Sequence, residues 1–161
     1  MPISTISPQL TTSRPHLQIT AIDCHVLLAP DYDVTFTSSA QDSLVVVIHA
    51  DGGVSGVGEC DANPWMAKAC IEAPGTHTMG LSIKDLLIGA DPFEIGELWR
   101  RIYFGTAMNG RRGMVIHALS AVEMALWDLR GKFWKQPLYK LLGGAVRKQI
   151  RFTEYYAFRQ K

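Results

Sequence analysis

Two acids, Glu59 and Asp61, stand two residues apart where the segment GVSGVGECD runs out of a predicted strand. Carboxylates placed like this can converge on a hard divalent cation, which takes several oxygen ligands at once. No further acids are spaced to join them, and the pair reads as a solvated strand end. In the loop GRRG, residues 110–113, the guanidinium forks of Arg111 and Arg112 match a carboxylate bidentately; a salt bridge to another domain or subunit uses the same geometry. Asp128 precedes Lys132 by four, the order that favours an ion pair on a helix surface. A catalytic lysine would also need a cleft and a lowered pKa. Gly53, Gly56 and Gly58 give G-x-x-G-x-G, but the dinucleotide fingerprint is spaced G-x-G-x-x-G and opens a helix. Here the glycines fall in a turn and a strand, where glycine marks close approach of another backbone or a ligand.

Other chemistries find no constellation. His16, His25, His49, His77 and His117 are scattered, with no H-E-x-x-H metal pair. There is no G-x-S-x-G elbow for a serine hydrolase. Cys24, Cys60 and Cys70 match neither a zinc nor a C-x-x-C spacing and read as small buried hydrophobes. Motif by motif, the chain offers no catalytic residue, no metal site and no cofactor site of its own.

The elements that would position these residues fall into two blocks. Residues 18–29 (QITAIDCHVLLA) and 43–50 (SLVVVIHA) read as strands, separated by a polar loop at residues 30–42. DGG is hairpin-turn chemistry, and VSGVGE returns as a third strand. Helix follows: PWMAKACIEA with Pro64 at its entry, SIKDLLIG ended by Gly89, and DPFEIGELWRRIYF. In the last, Asp91 serves as N-cap and Glu94 as its capping-box partner. The longest helix places Val115, Leu119, Val122, Leu126 and Leu129 on one face. Ala118, Ala121 and Ala125 form a second, small-residue stripe, and Gly131 ends the helix. QIRFTEYYAF, residues 149–158, reads as one more strand with no partner. The fold class is α+β: a three-stranded antiparallel meander, then a helical bundle, then an orphan strand.

Composition excludes several classes. The chain has 161 residues, 47% hydrophobic and 19% charged, enough apolar content for a real core. A net charge of +1 gives no electrostatic footprint for nucleic acid or an anionic membrane. No apolar run approaches the ~20 residues of a membrane span. Residues 1–16 are rich in Ser, Thr and Pro and read as a disordered tail. An odd cysteine count without a secretory signal indicates reduced thiols and a cytoplasmic protein.

The run ALSAVEMALWDLRGKFWKQPLYKLLGG resembles the signature of the mandelate racemase and muconate lactonizing enzyme group of the enolase superfamily. The matching residues are Ala118, Ser120 to Glu123, Ala125-Leu126, Asp128-Leu129, Gly131-Lys132, Pro137-Leu138 and Leu141 to Gly143. The Asp51-Gly52 turn, the strand ending GVGE and the segment DPFEIGELWRRIY also sit where that family has them. The resemblance covers residues 19–158. ECDANPW, GRRG and IHALSAVEMALWDLRGK are most similar to sugar-acid dehydratases and related racemases.

The resemblance implies an α+β capping domain at residues 17–146 and the start of a (β/α) barrel at residues 147–161. In the full-length family it implies Mg²⁺ held by three barrel carboxylates and lysine or histidine bases that abstract the proton beside a substrate carboxylate, the metal stabilising the enediolate. It further implies a sugar-acid substrate and a homo-oligomer. The loops at residues 30–42 and 60–65 are implied to close over the substrate, giving Tyr32, Asp33, Phe36, Asp61, Asn63 and Trp65 as site residues. Since the match stops at the first barrel strand, the chain reads as a fragment that is inactive alone. The alanine stripe then reads as a face offered to the barrel. The alternative is a stand-alone binding or oligomerisation module that reuses the cap.

Overall fold

The computed structural model describes residues 16–35 and 41–151. Strands β1 (Ile19–Leu28), β2 (Asp42–Ala50) and β3 (Ser55–Cys60) form an antiparallel sheet in the order β1-β2-β3. Helices α1 (Pro64–Glu72), α2 (Ile83–Leu87), α3 (Ile95–Gly105), α4 (Met114–Trp134) and α5 (Leu138–Leu141) follow. This is the α+β architecture that the sequence pattern predicts. Alternation on the strands explains the layering, because successive side chains point to opposite faces. Ile22, Cys24, Leu44, Val46, Ile48, Ala50 and Cys60 all turn inward and are buried. The β2–β3 connection is a three-residue turn, Asp51–Gly53, in which Gly52 and Gly53 take positive φ. Asp51 also ties the turn to the start of β1: its Oδ1 accepts from Gln18 N at 2.7 Å and its N–H donates to Gln18 O at 3.0 Å.

The closest contact in the core is between β3 and α4. At Gly58 a Cβ would fall on the carbonyl oxygen of Ala121; at Gly56 it would fall on that of Ala125. Glycine on the strand and alanine on the helix therefore let two backbones touch. Ala118, Ala121 and Ala125 are fully buried, so the alanine stripe serves the chain's own sheet. The expectation that it awaits a barrel is wrong, because β3 already occupies that face. The Val115, Leu119, Val122, Leu126 and Leu129 face is buried too, with α1 and α3 also packed against α4.

Each outer strand has a main-chain group engaged by a charged side chain from a helix. Lys68 Nζ donates to the Cys24 carbonyl of β1 at 2.9 Å, and Asp128 Oδ2 accepts from the Val57 amide of β3 at 2.8 Å. Asp128 also pairs with Lys132 at 2.7 Å, the helical ion pair expected from their spacing. Unpaired strand edges invite association, and charged side chains blunt them.

Two helix boundaries differ from the sequence reading. Gly131 does not end α4. The helix runs on to Trp134, and Lys135 takes the left-handed conformation at φ 51°. Gln136 N–H then reaches back to Gly131 O at 2.9 Å and Lys135 N–H to Lys132 O at 3.2 Å, the paired bonds of a Schellman cap. The glycine is spent inside the helix, where a Cβ would press on Gln136 O. Asp91 does not cap α3 either. Its Oδ1 accepts from Phe93 N at 2.8 Å and its carbonyl from Glu94 N at 3.2 Å, which closes a separate Asp-Pro turn before the helix begins at Ile95. The disordered-tail assignment at residues 1–15 and most of the predicted strand at residues 149–158 lie outside the described residues; Gln149, Ile150 and Arg151 are not in a strand.

The β3–α4 contact yields a direct expectation. Gly58→Ala should lower the unfolding free energy by about 2–3 kcal/mol, because neither backbone can yield without moving a whole element. The exposed helical Gly96, with open space around its Cβ position, provides the contrast: Gly96→Ala should raise stability by roughly 0.5–1 kcal/mol. Urea unfolding monitored by circular dichroism measures both, and a neutral Gly58→Ala would contradict the contact.

Candidate functional site

The meander brings the two predicted loops to one end of the sheet. Leu28 pairs with Asp42 where β1 passes to β2, and Leu44 pairs with Cys60 where β3 ends. The Asp51–Gly53 turn closes the opposite end. Whatever side chains follow Leu28, precede Asp42 and follow Cys60 must therefore be neighbours.

The Gln41 side chain ties the two ends of the first loop together. Gln41 Oε1 accepts from Asp33 N at 2.8 Å and Gln41 Nε2 donates to Asp33 O at 3.0 Å. The amide thus engages both main-chain groups of Asp33 as a strand partner would. Ala29 N donates to Gln41 O at 2.7 Å, and Tyr32 N to Ala29 O at 3.2 Å. Asp33 Oδ1 accepts from Thr35 N at 2.9 Å and Thr35 Oγ1 at 2.7 Å, a local aspartate turn. The second loop is set by the entry of α1. Asn63 is its N-cap, with Oδ1 accepting from Met66 N at 3.1 Å, and Pro64 is at the first helical position. Capping uses the Asn63 oxygen and leaves its NH₂ as the group it can offer elsewhere.

Between the loops lies a cavity of about 340 Å³. Tyr32 and Asp33 line it from one side, Asn63 and Trp65 from the other. Tyr32 and Trp65 are each 53% exposed. Four of the six predicted loop residues are thereby brought together. Asp61 is exposed and does not line the cavity, and Phe36 lies outside the described residues. Leu28, Val34, Gln41 and Asp42 also line it; the last three fall within the predicted loop at residues 30–42 but were not singled out, and Leu28 lies outside it. Leu28 and Asp42 could have been found from strand register alone, since they face each other at the mouth of the loop.

The remaining candidates are accounted for locally. Glu59 Oε1 accepts from Ser43 Oγ at 3.0 Å, and no group of three or more His, Cys, Asp or Glu able to hold a metal ion occurs among the described residues. The magnesium that the resemblance implies therefore finds no fitting donor set in this part of the chain. Arg111 lies over the rings of Tyr103 at 5.2 Å and Phe104 at 5.6 Å, a cation–π arrangement in place of a carboxylate clamp. His49 pairs with Asp23 at 3.0 Å on the exposed face of the sheet. Among the described residues no helix is long and apolar enough to cross a membrane.

An α+β domain with a loop-lined cavity at one end of its meander is the class that fold and site define. The chain belongs to the mandelate racemase / muconate lactonizing enzyme family: residues 18–143 match that family's N-terminal domain. It is 32% identical over 137 residues to an L-rhamnonate dehydratase of Saccharopolyspora erythraea, covering 81% of this chain and 33% of that protein. It is 41% identical over 101 residues to an arabinonate dehydratase of Saccharolobus solfataricus, covering 63% of this chain and 26% of the relative. Among solved structures, a mandelate racemase/muconate lactonizing protein of Paracoccus denitrificans complexed with magnesium superimposes with a TM-score of 0.63 at 29% identity, covering 81% of this chain and 31% of that one. The chain spans about a third of the length of these relatives.

The cysteines behave as core. All three are free. Burial, then the neighbouring Glu72, pushes the Cys24 thiol up to about 12. Burial, then Glu59 and Asp61, pushes Cys60 up to about 11, and burial raises Cys70. In the unfolded chain thiols ionise near 9. Above that pH the unfolded state sheds protons that the folded state keeps, so these thiols favour the fold below pH 9 and that advantage is lost as pH rises toward 11–12. Stability measured by urea midpoint should fall between pH 9 and 11, and fall less steeply in Cys24→Ala. An equal slope in the variant would assign the fall to other groups.

Proposed function

We propose that this chain is the substrate-capping domain of a magnesium-dependent sugar-acid dehydratase or racemase, an enzyme that abstracts the proton beside a carboxylate. The observation that carries the reading is the convergence of Leu28, Tyr32, Asp33, Val34, Gln41, Asp42, Asn63 and Trp65 on one cavity, in a domain whose relatives include rhamnonate and arabinonate dehydratases. Residues 17–146 form the cap, and residues from 147 onward lead into a barrel that carries metal and bases. The exposed apolar side chains Leu138, Tyr139, Leu142, Val146 and Ile150 suit the junction between the two. The full-length enzyme is a cytoplasmic homo-oligomer in this reading; free cysteines accord with a reducing compartment.

The chain's own contribution is binding and exclusion. Tyr32 and Trp65 supply apolar faces that cover a bound sugar acid and displace water from it. Asn63 offers an amide, and Asp33 and Asp42 offer acceptors for hydroxyl groups. Excluding water strengthens every charge interaction at the reacting centre opposite. In this reading the proton-abstracting base belongs to the barrel, and the chain alone turns over no sugar acid.

Fluorescence titration tests the binding half. A millimolar aldonate should change tryptophan emission in the purified chain, and the change should disappear in Trp65→Phe. The same sample with Mg²⁺ should form no dehydrated product. An emission change that survives Trp65→Phe, or product formation lost on mutating a residue of this chain, would overturn the reading.

A further inference from the structure

Resting on the reading of the cavity as a substrate cover, we infer that it receives the neutral, hydroxyl-bearing tail of a sugar acid and rejects a second carboxylate. The cap would then select monoacids over the matching diacids.

The charge of the lining carries the inference. Its two ionisable acids, Asp33 and Asp42, are of one sign, and its remaining described residues include no lysine, arginine or histidine. The cation on the neighbouring helix, Lys68, is committed elsewhere: Nζ holds Glu72 Oε1 at 2.8 Å and the Cys24 carbonyl at 2.9 Å. Glu59 and Asp61 add acids at the end of β3. A site built to hold a carboxylate presents guanidinium, ammonium or convergent N–H donors, and the described lining presents two carboxylates and no cation. Acceptors suit hydroxyls, each of which can donate one hydrogen bond. The exposed rings of Tyr32 and Trp65 suit the C–H faces of a carbon chain, with a polar edge kept wet. A terminal carboxylate seated among these groups would face like charges within contact range, where repulsion is appreciable and only partly screened by salt.

The test compares two probes that share configuration and differ in one terminus: D-gluconate, which ends in a hydroxymethyl group, and D-glucarate, which ends in a carboxylate. Each is titrated into the ¹⁵N-labelled chain, and the Trp65 indole and Asn63 side-chain amide resonances are followed. Gluconate should shift both, and glucarate should bind about tenfold or more weakly at low salt, a gap that narrows as salt screens it. Asp33→Asn combined with Asp42→Asn should close the gap. The amide keeps an oxygen able to accept from Thr35, and unchanged backbone resonances away from the two substituted positions confirm the fold. Equal binding of both probes at these resonances overturns the selectivity and leaves the cover reading standing. No shift at either resonance with either probe overturns both.

Discussion

The missing side chains at Gly56 and Gly58 are the constraint on which the rest of the domain depends. Only glycine lets the main chain of β3 lie against the main chain of α4, with the carbonyls of Ala121 and Ala125 where a Cβ would otherwise be. That contact brings Asp128 to the free edge of β3, where it accepts from the Val57 amide. It also sets α4, the longest helix, across the sheet so that its second face receives α1 and α3. Overpacking at such a point cannot be relieved by a side-chain rotamer, because both partners are backbone.

Position follows from that interlock. β3 leaves the sheet at Cys60, level with Leu44 on β2 and beside the Leu28–Asp42 crossing. Pro64 is buried at the first position of α1 while Trp65 beside it stays exposed. The cavity is therefore a product of strand register, with Gln41 fixing the near side and Asn63 the far side. The relatives that the chain matches are about three times as long.

The strands were legible because inward and outward residues alternate and because DGG can hardly be anything but a turn. The helices were legible because Val115, Leu119, Val122, Leu126 and Leu129 step along one face. The glycines of β3 announced a close backbone neighbour, and the alanines of α4 announced the same, but the sequence did not say that each was the other's partner. Pairing across some sixty residues is a tertiary fact, so the alanine stripe was assigned to a barrel. Gly131 and Asp91 misled for a related reason. A glycine near a helix end usually caps it, yet here tight packing against Gln136 O claims the glycine and Lys135 accepts the strained φ. An Asp-Pro pair can cap a helix or close its own turn, and only the start of α3 at Ile95 distinguishes them. In the site, the entry of α1 at Pro64 was readable and Tyr32, Asn63 and Trp65 came from the family resemblance, whereas Gln41 acts through its amide on a residue eight positions away, a contact that no local pattern encodes.

Native-state hydrogen exchange tests the central claim most directly. If β3 and α4 are one interlocked unit, the Val57 amide and the α4 amides from Ala121 to Leu129 should exchange with a single opening free energy, equal to that of global unfolding. Amides of the loop at residues 30–35 should open independently and at lower cost. Exchange of Val57 through a separate, cheaper opening while α4 stays protected would contradict the account, because the sheet would then be held by something other than the glycine–alanine contact.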